Sequence, residues 1–441
     1  MKSSKYNYIV EDGDGVVFYN GITHGSFRIN HQNRHAYETI INHPDDNYES
    51  FKSFIDKMLI EGFVIDDSVS EEDLVMQKYA ALKRSQDYTM MILPTYECNV
   101  RCWYCIQKHA NMWLSDEDVE RIKRRISKVL ETEEIENFQI SWFGGEPLLA
   151  YNRIVEISEW AIGLCDKLNK KFYANITTNG TLLTKERIEK LRQLGVVHYQ
   201  ITIDGDKLTH DEIKVLGMNS AFDTSVANIA EIAKHTPCIL RFNYTKENLK
   251  PDLIISDMKS RLPEEIRKNI KFLIYKVWQE NGETVDLREV HRLANMAAEA
   301  GFQPSFESVG MCYSDQKYFD CVFPNGRIGK CDNADPNSTH VCGVVGDNGE
   351  IIWEKKNLSL LDVFDPEAKA TECLECRYLP ICWGPCPMKR EPMLQKYGEV
   401  RCVYANKDKE IREYILNSYH NALYQKRAHA ANNISVLDCN E

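Results

Sequence analysis

The stretch YTMMILPTYECNVRCWYC, residues 88–105, decides how the rest of the chain is interpreted. It begins with an apolar run from Tyr88 to Leu93 that predicts a strand, and it continues into a loop that holds Cys98, Cys102 and Cys105. Three thiolates can bind three irons of a cubane cluster and leave the fourth iron without a protein ligand. The loop therefore predicts an iron-sulphur site with one open position. The alternatives are a zinc site or three packed cysteines.

Outward from this loop, the chain alternates between strand and helix patterns. The predicted strands span residues 88–93, 138–143, 172–178, 196–203, 238–244 and 270–277. Between them, a helix from about Asp116 opens with a capping signal at Ser115, and a helix from Lys185 closes at Gly195. Six strand-helix units in a row require a parallel sheet, which can be open or curled into a barrel.

Polar and glycine-rich turns follow three of these strands directly. They are Gly144-Gly145-Glu146-Pro147, Thr178-Asn179-Gly180 and Thr202-Ile-Asp204-Gly205. Glycines let a backbone approach a ligand closely, and ligands of parallel sheets bind at the carboxyl edge of the strands. The alternative for the Gly144 to Pro147 turn is an ordinary strand-to-helix connection, and the other two turns carry no weight when taken alone.

Composition and the N-terminal sequence together favour a cytoplasmic location. The chain has 441 residues, 15 cysteines and a formal net charge of -12. Its N-terminus lacks the apolar segment of a secretion signal, and no run approaches the length of a membrane span. We therefore expect a cytoplasmic protein with no membrane partner and, because Lys and Arg are not in excess, no nucleic-acid partner. In such a compartment, so many cysteines favour metal or redox chemistry over disulfides.

A second cysteine field follows residue 307. Thirteen residues separate Cys312 from Gly326, and four residues separate Gly326 from Cys331. The pattern continues with five cysteines between residues 373 and 402. The spacing of these later ligand candidates is Cys373-x-x-Cys376, five residues, Cys382, three residues, Cys386, fifteen residues, Cys402. So many thiols in a loop-rich segment cannot be explained by core packing, so iron-sulphur clusters are indicated and a zinc module is the rival.

With these motifs, the segment from about Tyr88 to Glu307 resembles the radical S-adenosylmethionine (SAM) superfamily. The resemblance implies a partial (β/α)6 barrel. It also implies a 4Fe-4S cluster, held by Cys98, Cys102 and Cys105, whose fourth iron is chelated by the amino and carboxylate groups of SAM. Electron transfer to SAM then breaks a carbon-sulphur bond and yields a 5′-deoxyadenosyl radical. The residues that carry the resemblance are Cys98-Asn99-Val-Arg-Cys102-Trp-Tyr104-Cys105 and the three turns quoted above.

The same resemblance implies which residues contact SAM. Tyr104 would pack near the adenine, the turn at Glu146 would meet the amine, and polar groups at two further strand ends would bind ribose or carboxylate. The set predicted to bind SAM is Tyr104, Gly144, Gly145, Glu146, Pro147, Thr178, Asn179, Thr202, Asp204 and Lys214. Lys214 is a departure, because related maturases carry Arg at this position, and Lys keeps the charge but not the bidentate geometry.

The later cysteines match the seven-cysteine pattern of the SPASM domain, which carries two auxiliary 4Fe-4S clusters. The resemblance assigns Cys373, Cys376, Cys382 and Cys402 to an outer cluster. It assigns Cys312, Cys331 and Cys386 to an inner one. The fourth inner ligand is Cys321, Cys342 or a substrate thiolate. Asp332 follows Cys331 and, by analogy with anaerobic sulfatase-maturing enzymes, is a candidate base for the substrate radical; a turn-forming Asp is the alternative.

The N-terminal segment predicts a small α+β module. Short alternating runs around Val16 to Tyr19 predict strands, and 48–63 has a helical apolar period. It resembles the winged-helix-like leader-recognition module of enzymes that mature ribosomally made peptides, which adds an extended leader to a sheet edge. We expect four domains: residues 1–85 with the module and linker, 86–307 with the radical SAM core, 308–405 with the SPASM domain, and 406–441 with a helix to about Arg427 and a frayed tail.

Together these resemblances predict an oxidoreductase that modifies peptides. The leading hypothesis is a maturase that abstracts a hydrogen from a precursor peptide and forms a thioether or carbon-carbon cross-link, with flavodoxin or ferredoxin as electron donor. A formylglycine-generating sulfatase maturase is the alternative, supported by Asp332 and opposed by the long N-terminal module. A non-catalytic iron-sulphur carrier or peptide-binding scaffold is a third hypothesis. The open iron position argues against it, because an electron carrier does not need one.

Overall fold

The structure is a computed structural model that describes residues 1–83, 86–107, 109–279, 285–307, 310–338, 342–404 and 406–437. The chain forms two compact units. The first comprises Met1–Arg84, Ser308–Lys317 and Ser359–Ala430, and the second comprises Ser85–Glu307, Tyr318–Leu358 and Ala431–Glu441. The predicted four-domain division groups the chain differently and stays a prediction.

The first unit begins with an α+β module, as predicted. A three-stranded antiparallel sheet of order β2-β3-β4 precedes two helices, and β1 pairs with β5. The elements are β1 (Lys2–Ser3), β2 (Asn7–Asp12), β3 (Gly15–Asn20), β4 (Ser26–Asn30), α1 (Arg34–Asn42), α2 (Pro44–Ile60), β5 (Val64–Ile65) and α3 (Glu71–Lys83).

The second unit is built on one large sheet, and its elements alternate between strand and helix up to β12. They are β6 (Asp87–Ile92), α4 (Asp116–Leu130), β7 (Asn137–Trp142), α5 (Tyr151–Lys167), β8 (Lys171–Thr178), α6 (Lys185–Gln193), β9 (Val196–Ile203), α7 (Lys207–Ile213), α8 (Ala221–Ala233), β10 (Cys238–Tyr244), α9 (Pro251–Arg261), α10 (Glu264–Arg267), β11 (Ile270–Lys276), α11 (Leu287–Glu299), β12 (Gln303–Phe306), β13 (Phe319–Val322), β14 (Ile328–Gly329), β15 (Val344–Val345) and β16 (Ile351–Ile352).

Within the described residues this sheet has nine strands in the order β12-β11-β10-β9-β8-β7-β6-β13-β14. All neighbours are parallel except β13 and β14. The mixed α/β fold with a parallel sheet is confirmed, and the six predicted strands agree with β6 to β11 within one residue at each end. The extra parallel strand β12 was not predicted, because it has only four residues and contains Pro304, which disfavours strands.

Alternation along the strands gives the sheet two different faces. On one face, side chains such as Phe138, Ile140 and Trp142 are fully buried, and helices including α5 and α8 pack there. On the opposite face, which we call the inner face, half-buried polar residues such as Gln139 and Ser141 alternate with them. The inner face is therefore available for ligands.

Local signals account for several helix boundaries. Ser115 and Asp118 form the predicted capping box at the start of α4. Gly195 follows α6 with a φ of 74°, as expected for a residue that ends a helix in the left-handed region. Gly326 has a φ of 73°, and a Cβ there would lie 1.9 Å from Oδ1 of Asp118, so the glycine of the cysteine field allows close packing against the capping residue.

The C-terminal part of the first unit contains more helix than expected. Its helices are α12 (Thr371–Leu374), α13 (Leu379–Cys382), α14 (Pro387–Tyr397) and the part of α15 (Lys407–Leu437) that precedes Ala431. The predicted frayed tail is wrong up to Leu437, because the last ten residues of α15 contain no Gly or Pro to end the helix. Cys439, which has no nearby cysteine partner in sequence, lies outside the described residues.

One apolar core joins the two ends of the chain in the first unit. Tyr8, Tyr19 and Tyr79 pack in the same cluster as Trp383 and Ile411. Because β3 is buried on both faces, its other side chains, including Phe18, join a second cluster with α1 and α2. In the part of the chain that the structure describes, no helix has the length and hydropathy needed to cross a membrane.

Candidate active site

The cysteine loop is joined to the end of β7 through backbone hydrogen bonds. The amide of Gly145 donates to the carbonyl of Thr95 at 3.0 Å, and the amide of Glu146 donates to the carbonyl of Glu97 at 2.8 Å. Both acceptors lie just before Cys98. The position of the first cysteine is therefore fixed by the turn after the neighbouring strand.

This joint explains why glycine occupies position 145. A Cβ on Gly145 would lie 2.2 Å from the carbonyl oxygen of Glu97 and 2.5 Å from that of Tyr96, which is closer than van der Waals contact allows. Gly144 has a φ of 122° and would place a Cβ 2.5 Å from the carbonyl oxygen of Thr95. The close approach that the glycines permit is to the backbone before Cys98.

The Glu146 side chain turns inward and braces two strand ends. It is fully buried, and it accepts hydrogen bonds from the Thr178 hydroxyl at 2.8 Å and from the amides of Leu148 and Asn179 at 3.0 and 2.9 Å. Burial raises the pKa of this carboxyl to about 7, and the three donors act against that shift. Glu146 therefore holds the end of β7 to the end of β8.

Asn179 continues the connection from the end of β8 to the cysteine loop. Its Nδ2 donates to Oδ1 of Asn99 at 2.8 Å and lies 3.8 Å from Sγ of Cys98. The hydroxyl of Ser225 donates to its carbonyl at 2.7 Å. The strand end predicted to contact a cofactor thus also orients the first cysteine.

Tyr104 anchors the other half of the loop. Its hydroxyl donates to Oδ1 of Asp204 at 2.5 Å, and Nδ2 of Asn243 donates to the Tyr104 oxygen at 3.1 Å. Asp204 also forms a buried ion pair with Lys214, whose ammonium donates to the carbonyl of Thr202 at 3.2 Å. Despite burial, which acts the other way, the pKa of Asp204 is lowered, chiefly by Lys214.

Two neutral side chains form hydrogen bonds with the backbone of Asp204. The Asp204 amide donates to Nδ1 of His210 at 3.1 Å, and Nδ2 of Asn248 donates to the Asp204 carbonyl at 2.9 Å. Burial lowers the pKa of His210 to about 3, so this imidazole is neutral and accepts through Nδ1. The carboxylate is therefore held in one position beneath the cysteine loop.

Accessibility divides the predicted SAM-binding residues into two groups. The side chains of Glu146, Asp204 and Lys214 are 0%, 0% and 2% exposed. These three side chains are bonded to other protein groups in the walls of the site, and their predicted contact with SAM stays a prediction. Tyr104, Gly145 and Thr202 are partly exposed, and contact of these residues with SAM stays a prediction.

The three loop cysteines offer thiols that ionise only with help. Burial raises the pKa of Cys98 to about 11, so the thiolate forms readily only when bound cations compensate its charge.

Four later cysteines also meet in one place. Cys373, Cys376, Cys382 and Cys402 line a single pocket in the first unit. Trp383 and Gly384 adopt positive φ values of 57° and 81° directly after Cys382, and Cys382 and Gly384 both line the pocket. The structure thus gathers the set predicted for the outer cluster, whereas its ligation of iron stays a prediction.

The predicted inner set is divided between the two units. Cys312 and Cys386 lie in the first unit, and Cys331 lies in the second with both alternative ligands. Cys321 and Cys342 are each fully buried, and burial raises the pKa of both thiols, with Cys331 adding to the effect. The choice between Cys321, Cys342 and a substrate thiolate stays open.

Asp332 lies close to the cysteine loop within the second unit. Nε2 of Gln107 donates to the Asp332 carbonyl at 3.4 Å, and Gln107 follows Cys105 by two residues. Oδ1 of Asp332 is 4.0 Å from Sγ of Cys331. The predicted base is therefore near two predicted ligand loops, and its role stays a prediction.

Several residues of the site were not predicted. Asn243 and Arg241 lie on β10, Gln279 donates from Nε2 to the Tyr104 carbonyl at 2.5 Å, and Asn248 closes the Asp204 pocket. Asn243 could have been found, because it is a polar residue near the carboxyl end of a parallel strand, where Thr178 and Asp204 were found. Gln279 and Asn248 lie in loops without a sequence signal.

Comparison with known proteins supports this reading. Residues 92–251 match the family model described as the radical SAM superfamily, so the chain contains a radical SAM domain. Curated relatives include the Fe-coproporphyrin III synthase of Methanosarcina barkeri, 26% identical over 168 residues that make up 37% of this chain and 39% of that protein. Another is GTP 3′,8-cyclase 1 of Mycobacterium tuberculosis, 29% identical over 141 residues, or 31% and 37%. The chain spans less than half the length of these relatives.

A solved structure shares the fold. Native anSMEcpe with bound AdoMet and Kp18Cys peptide superposes with a TM-score of 0.55 and 17% sequence identity, covering 78% of this chain and 99% of that one. The predicted radical SAM resemblance is confirmed by the family model, and the α/β fold class is confirmed by this structure. At this identity, the likeness concerns the fold alone.

Proposed function

We propose that this chain is a peptide maturase that cleaves SAM to a 5′-deoxyadenosyl radical, abstracts a hydrogen from a ribosomal precursor peptide and forms a cross-link. The observation that carries the proposal is the anchoring of the cysteine loop at the carboxyl edge of a radical SAM sheet. One side of the loop is joined to the Gly145 turn, and the other is bonded through Tyr104 to Asp204. A loop held at both ends presents its thiolates in a fixed arrangement before metal binds.

The chain's own residues would hold the cofactors as follows. Cys98, Cys102 and Cys105 would bind a 4Fe-4S cluster, which supplies the electron for reductive cleavage of SAM. The backbone of the Gly144 to Glu146 turn would meet the SAM amine, since the Glu146 carboxylate is engaged with the protein. Tyr104 would keep its hydroxyl on Asp204 and offer its ring to the ligand.

Two auxiliary 4Fe-4S clusters would accept the electron left after hydrogen abstraction. The pocket of Cys373, Cys376, Cys382 and Cys402 would hold the outer one, and flavodoxin or ferredoxin would be the external donor. Asp332 would take up the proton released with that electron, because it lies beside Cys331. Replacing Asp332 with Asn should then lower the yield of cross-linked peptide more than it lowers SAM cleavage.

A peptide substrate is supported by two observations. The structural neighbour anSMEcpe was solved with a bound peptide. In the N-terminal module of this chain, β4 lies at an edge of the three-stranded sheet, and an edge strand can accept an extended peptide as a further strand. A leader peptide would therefore bind along β4.

Deletion of residues 1–85 would be a poor test of leader binding, because Tyr8 and Tyr79 share a core with Trp383. A point variant is sharper. The backbone amide of Asn20 donates to the carbonyl of Gly25. Because hydrogen-bonded and non-hydrogen-bonded pairs alternate along an antiparallel ladder, the backbone amide of the next residue, Ser26, points away from β3. Ser26→Pro removes that outward donor, and Ser26→Thr is the matched control. We expect the Pro variant to lose peptide binding and keep peptide-independent SAM cleavage; unchanged affinity would exclude this edge.

The proposed function is tested by anaerobic incubation of reconstituted enzyme with reductant, SAM and the short peptide encoded beside it. Mass spectrometry should find 5′-deoxyadenosine and a peptide lighter by two hydrogens per cross-link. Deoxyadenosine with an unchanged peptide would contradict maturation of that peptide. Absence of deoxyadenosine would contradict radical SAM chemistry.

A sulfatase maturase is the second candidate, favoured by Asp332 directly after Cys331. It would convert a Cys or Ser of a sulfatase peptide to formylglycine, which the same mass measurement distinguishes from a cross-link. A non-catalytic carrier, the third hypothesis, would produce no deoxyadenosine in either assay.

A further inference from the structure

The pocket lined by Cys373, Cys376, Cys382 and Cys402 has one cation in its wall. Among the described residues that line this pocket, Lys407 alone carries a positive charge. Its ammonium interacts electrostatically with Cys376 and Cys402. All of these residues belong to the first unit. A cluster bound by the four thiolates would therefore form beside a positive charge.

The ammonium of Lys407 is held in place by Glu372. Nζ of Lys407 lies 3.1 Å from Oε1 of Glu372, and Oε2 of the same carboxylate accepts a hydrogen bond from the backbone amide of Cys402 at 2.9 Å. Glu372 directly precedes Cys373 in the chain. One carboxylate therefore connects the ammonium to two of the four cysteine segments.

The helix that carries Lys407 does not explain the presence of a cation there. Lys407 is the first residue of α15, where the positive end of the helix dipole disfavours cations and favours acidic residues such as Asp408 and Glu410. The ion pair with Glu372 explains little more, because the two side chains are 34% and 49% exposed and exposed ion pairs contribute little to stability. A negatively charged group bound in the pocket would give this cation a partner that local structure does not supply.

We propose that Lys407, held by Glu372, tunes the reduction potential of the outer 4Fe-4S cluster by stabilising its reduced form, which is one charge more negative. Reduction adds one electron to the cluster and moves no proton to or from Lys407. In the proposed function that electron comes from the substrate radical, whereas in the test it comes from dithionite. The inference rests on the proposed function for the presence of this cluster.

The test is an anaerobic redox titration of the reconstituted full-length protein, followed by electron paramagnetic resonance (EPR) with dithionite as reductant. Every sample carries Ala at Cys98, Cys102 and Cys105, so that the cluster of that loop adds no signal. The outer cluster is identified as the EPR signal that Cys376→Ala removes. The quantity compared is the ratio of reduced to oxidised outer cluster at one fixed potential.

Three variants change the charge or the shape of the ion pair. Lys407→Gln should lower the ratio about 3- to 30-fold, because a positive charge near the cluster is lost. Lys407→Arg keeps the charge and should stay close to the parent protein. Glu372→Gln removes a negative charge and should raise the ratio. Lys409→Gln, at an exposed lysine of the same helix that does not line the pocket, is the charge-matched control and should change nothing.

Opposite signs for Lys407→Gln and Glu372→Gln separate a charge effect from general damage to the pocket, which would shift both in the same direction. A fall in both variants, no change in Lys407→Gln, or an equal change in Lys409→Gln would overturn the proposal. It would also be overturned if no EPR signal depended on Cys376.

Peptide modification by the wild-type enzyme is measured separately. A wild-type enzyme that leaves its peptide unchanged, in a protein whose outer cluster responds to Lys407 as expected, would refute the proposed function and leave the assignment of Lys407 intact.

Discussion

The phenol oxygen of Tyr104 lies 2.5 Å from Oδ1 of Asp204, so the residue between Cys102 and Cys105 is bonded to the end of β9, a hundred positions later in the chain. Asp204 is fully buried and already paired with Lys214. The contact therefore ties the cysteine loop to a carboxylate that cannot move. It also leaves that carboxylate dependent on Tyr104 for one of its donors.

Tyr104→Phe should destabilise the protein by about 1–3 kcal/mol, because a buried carboxylate loses a hydrogen-bond donor and water cannot replace it. Urea unfolding of the metal-free protein measures the effect without interference from cluster loss. Tyr397→Phe, at an exposed tyrosine, should be nearly neutral. Equal stabilities of the two variants would show that the contact contributes nothing.

Gly145→Ala should disrupt the joint between the β7 turn and the cysteine loop. Its Cβ would lie 2.2 Å from the Glu97 carbonyl, so the backbone must shift, at a cost of about 1–3 kcal/mol. We expect a lower unfolding midpoint and reduced iron in the reconstituted protein. Gly163→Ala, in α5 with no atom within 4 Å of the added Cβ, should instead stabilise by about 0.5–1 kcal/mol. The same sign in both variants would refute the steric argument.

Replacing Cys98, Cys102 and Cys105 together with Ala should abolish SAM cleavage and remove about four irons per chain, the content of one cubane. Iron analysis and 5′-deoxyadenosine measurement check both parts. Cys165→Ala, at a buried thiol in α5, is the control and should keep iron and activity. Cleavage retained by the triple variant would exclude this loop as the reactive site.

Because of Glu146, the free energy of unfolding should fall as the pH rises. Burial raises the pKa of its carboxyl from 4.5 to about 7, so the folded protein holds the proton more tightly than the unfolded chain. The resulting stabilisation is complete below pH 4.5 and is lost as pH rises to 7, about 3 kcal/mol in all. The free energy of unfolding of wild type minus that of Glu146→Gln should fall by this amount between pH 4.5 and 7.5.

Thr178→Val sharpens that test. It removes a hydroxyl that favours the carboxylate, so the pKa of Glu146 should rise further and the pH at which stability is lost should move upward. A difference that stays flat with pH, or a downward shift in Thr178→Val, would contradict the assigned cause.

Strands and ligand candidates were predictable from local pattern because both depend on short-range chemistry. The run from Val196 to Ile203 and the run from Cys238 to Tyr244 match β9 and β10 residue for residue, since buried parallel strands are continuous apolar segments. The strand β12 and the helix α14 were missed. For β12 the sequence is short and contains Pro304, and for α14 the Pro387 and Gly398 boundary signals lay inside a cysteine-rich segment that was interpreted as loops.

The roles within the site were less predictable because they depend on which way a side chain turns. Glu146 and Asp204 were correctly picked out as polar residues at strand ends, but sequence cannot say whether such a carboxylate meets a ligand or another strand. The structure turns both into the protein: neutral donors hold Glu146, and the buried ammonium of Lys214 pairs with Asp204. Arg241 had no motif to mark it, and only the pairing of β10 with β11 places it on Tyr275.

What the sequence by itself determined is the kind of chemistry: three thiols spaced along one loop, a parallel sheet behind them and a second set of thiols near the C-terminus. These follow from residue type and spacing, which are local properties. What only the tertiary structure decided is which polar groups remain accessible and which hold the walls. Burial and hydrogen-bond partners arise from residues as far apart as Tyr104 and Asp204, and no local pattern records such contacts.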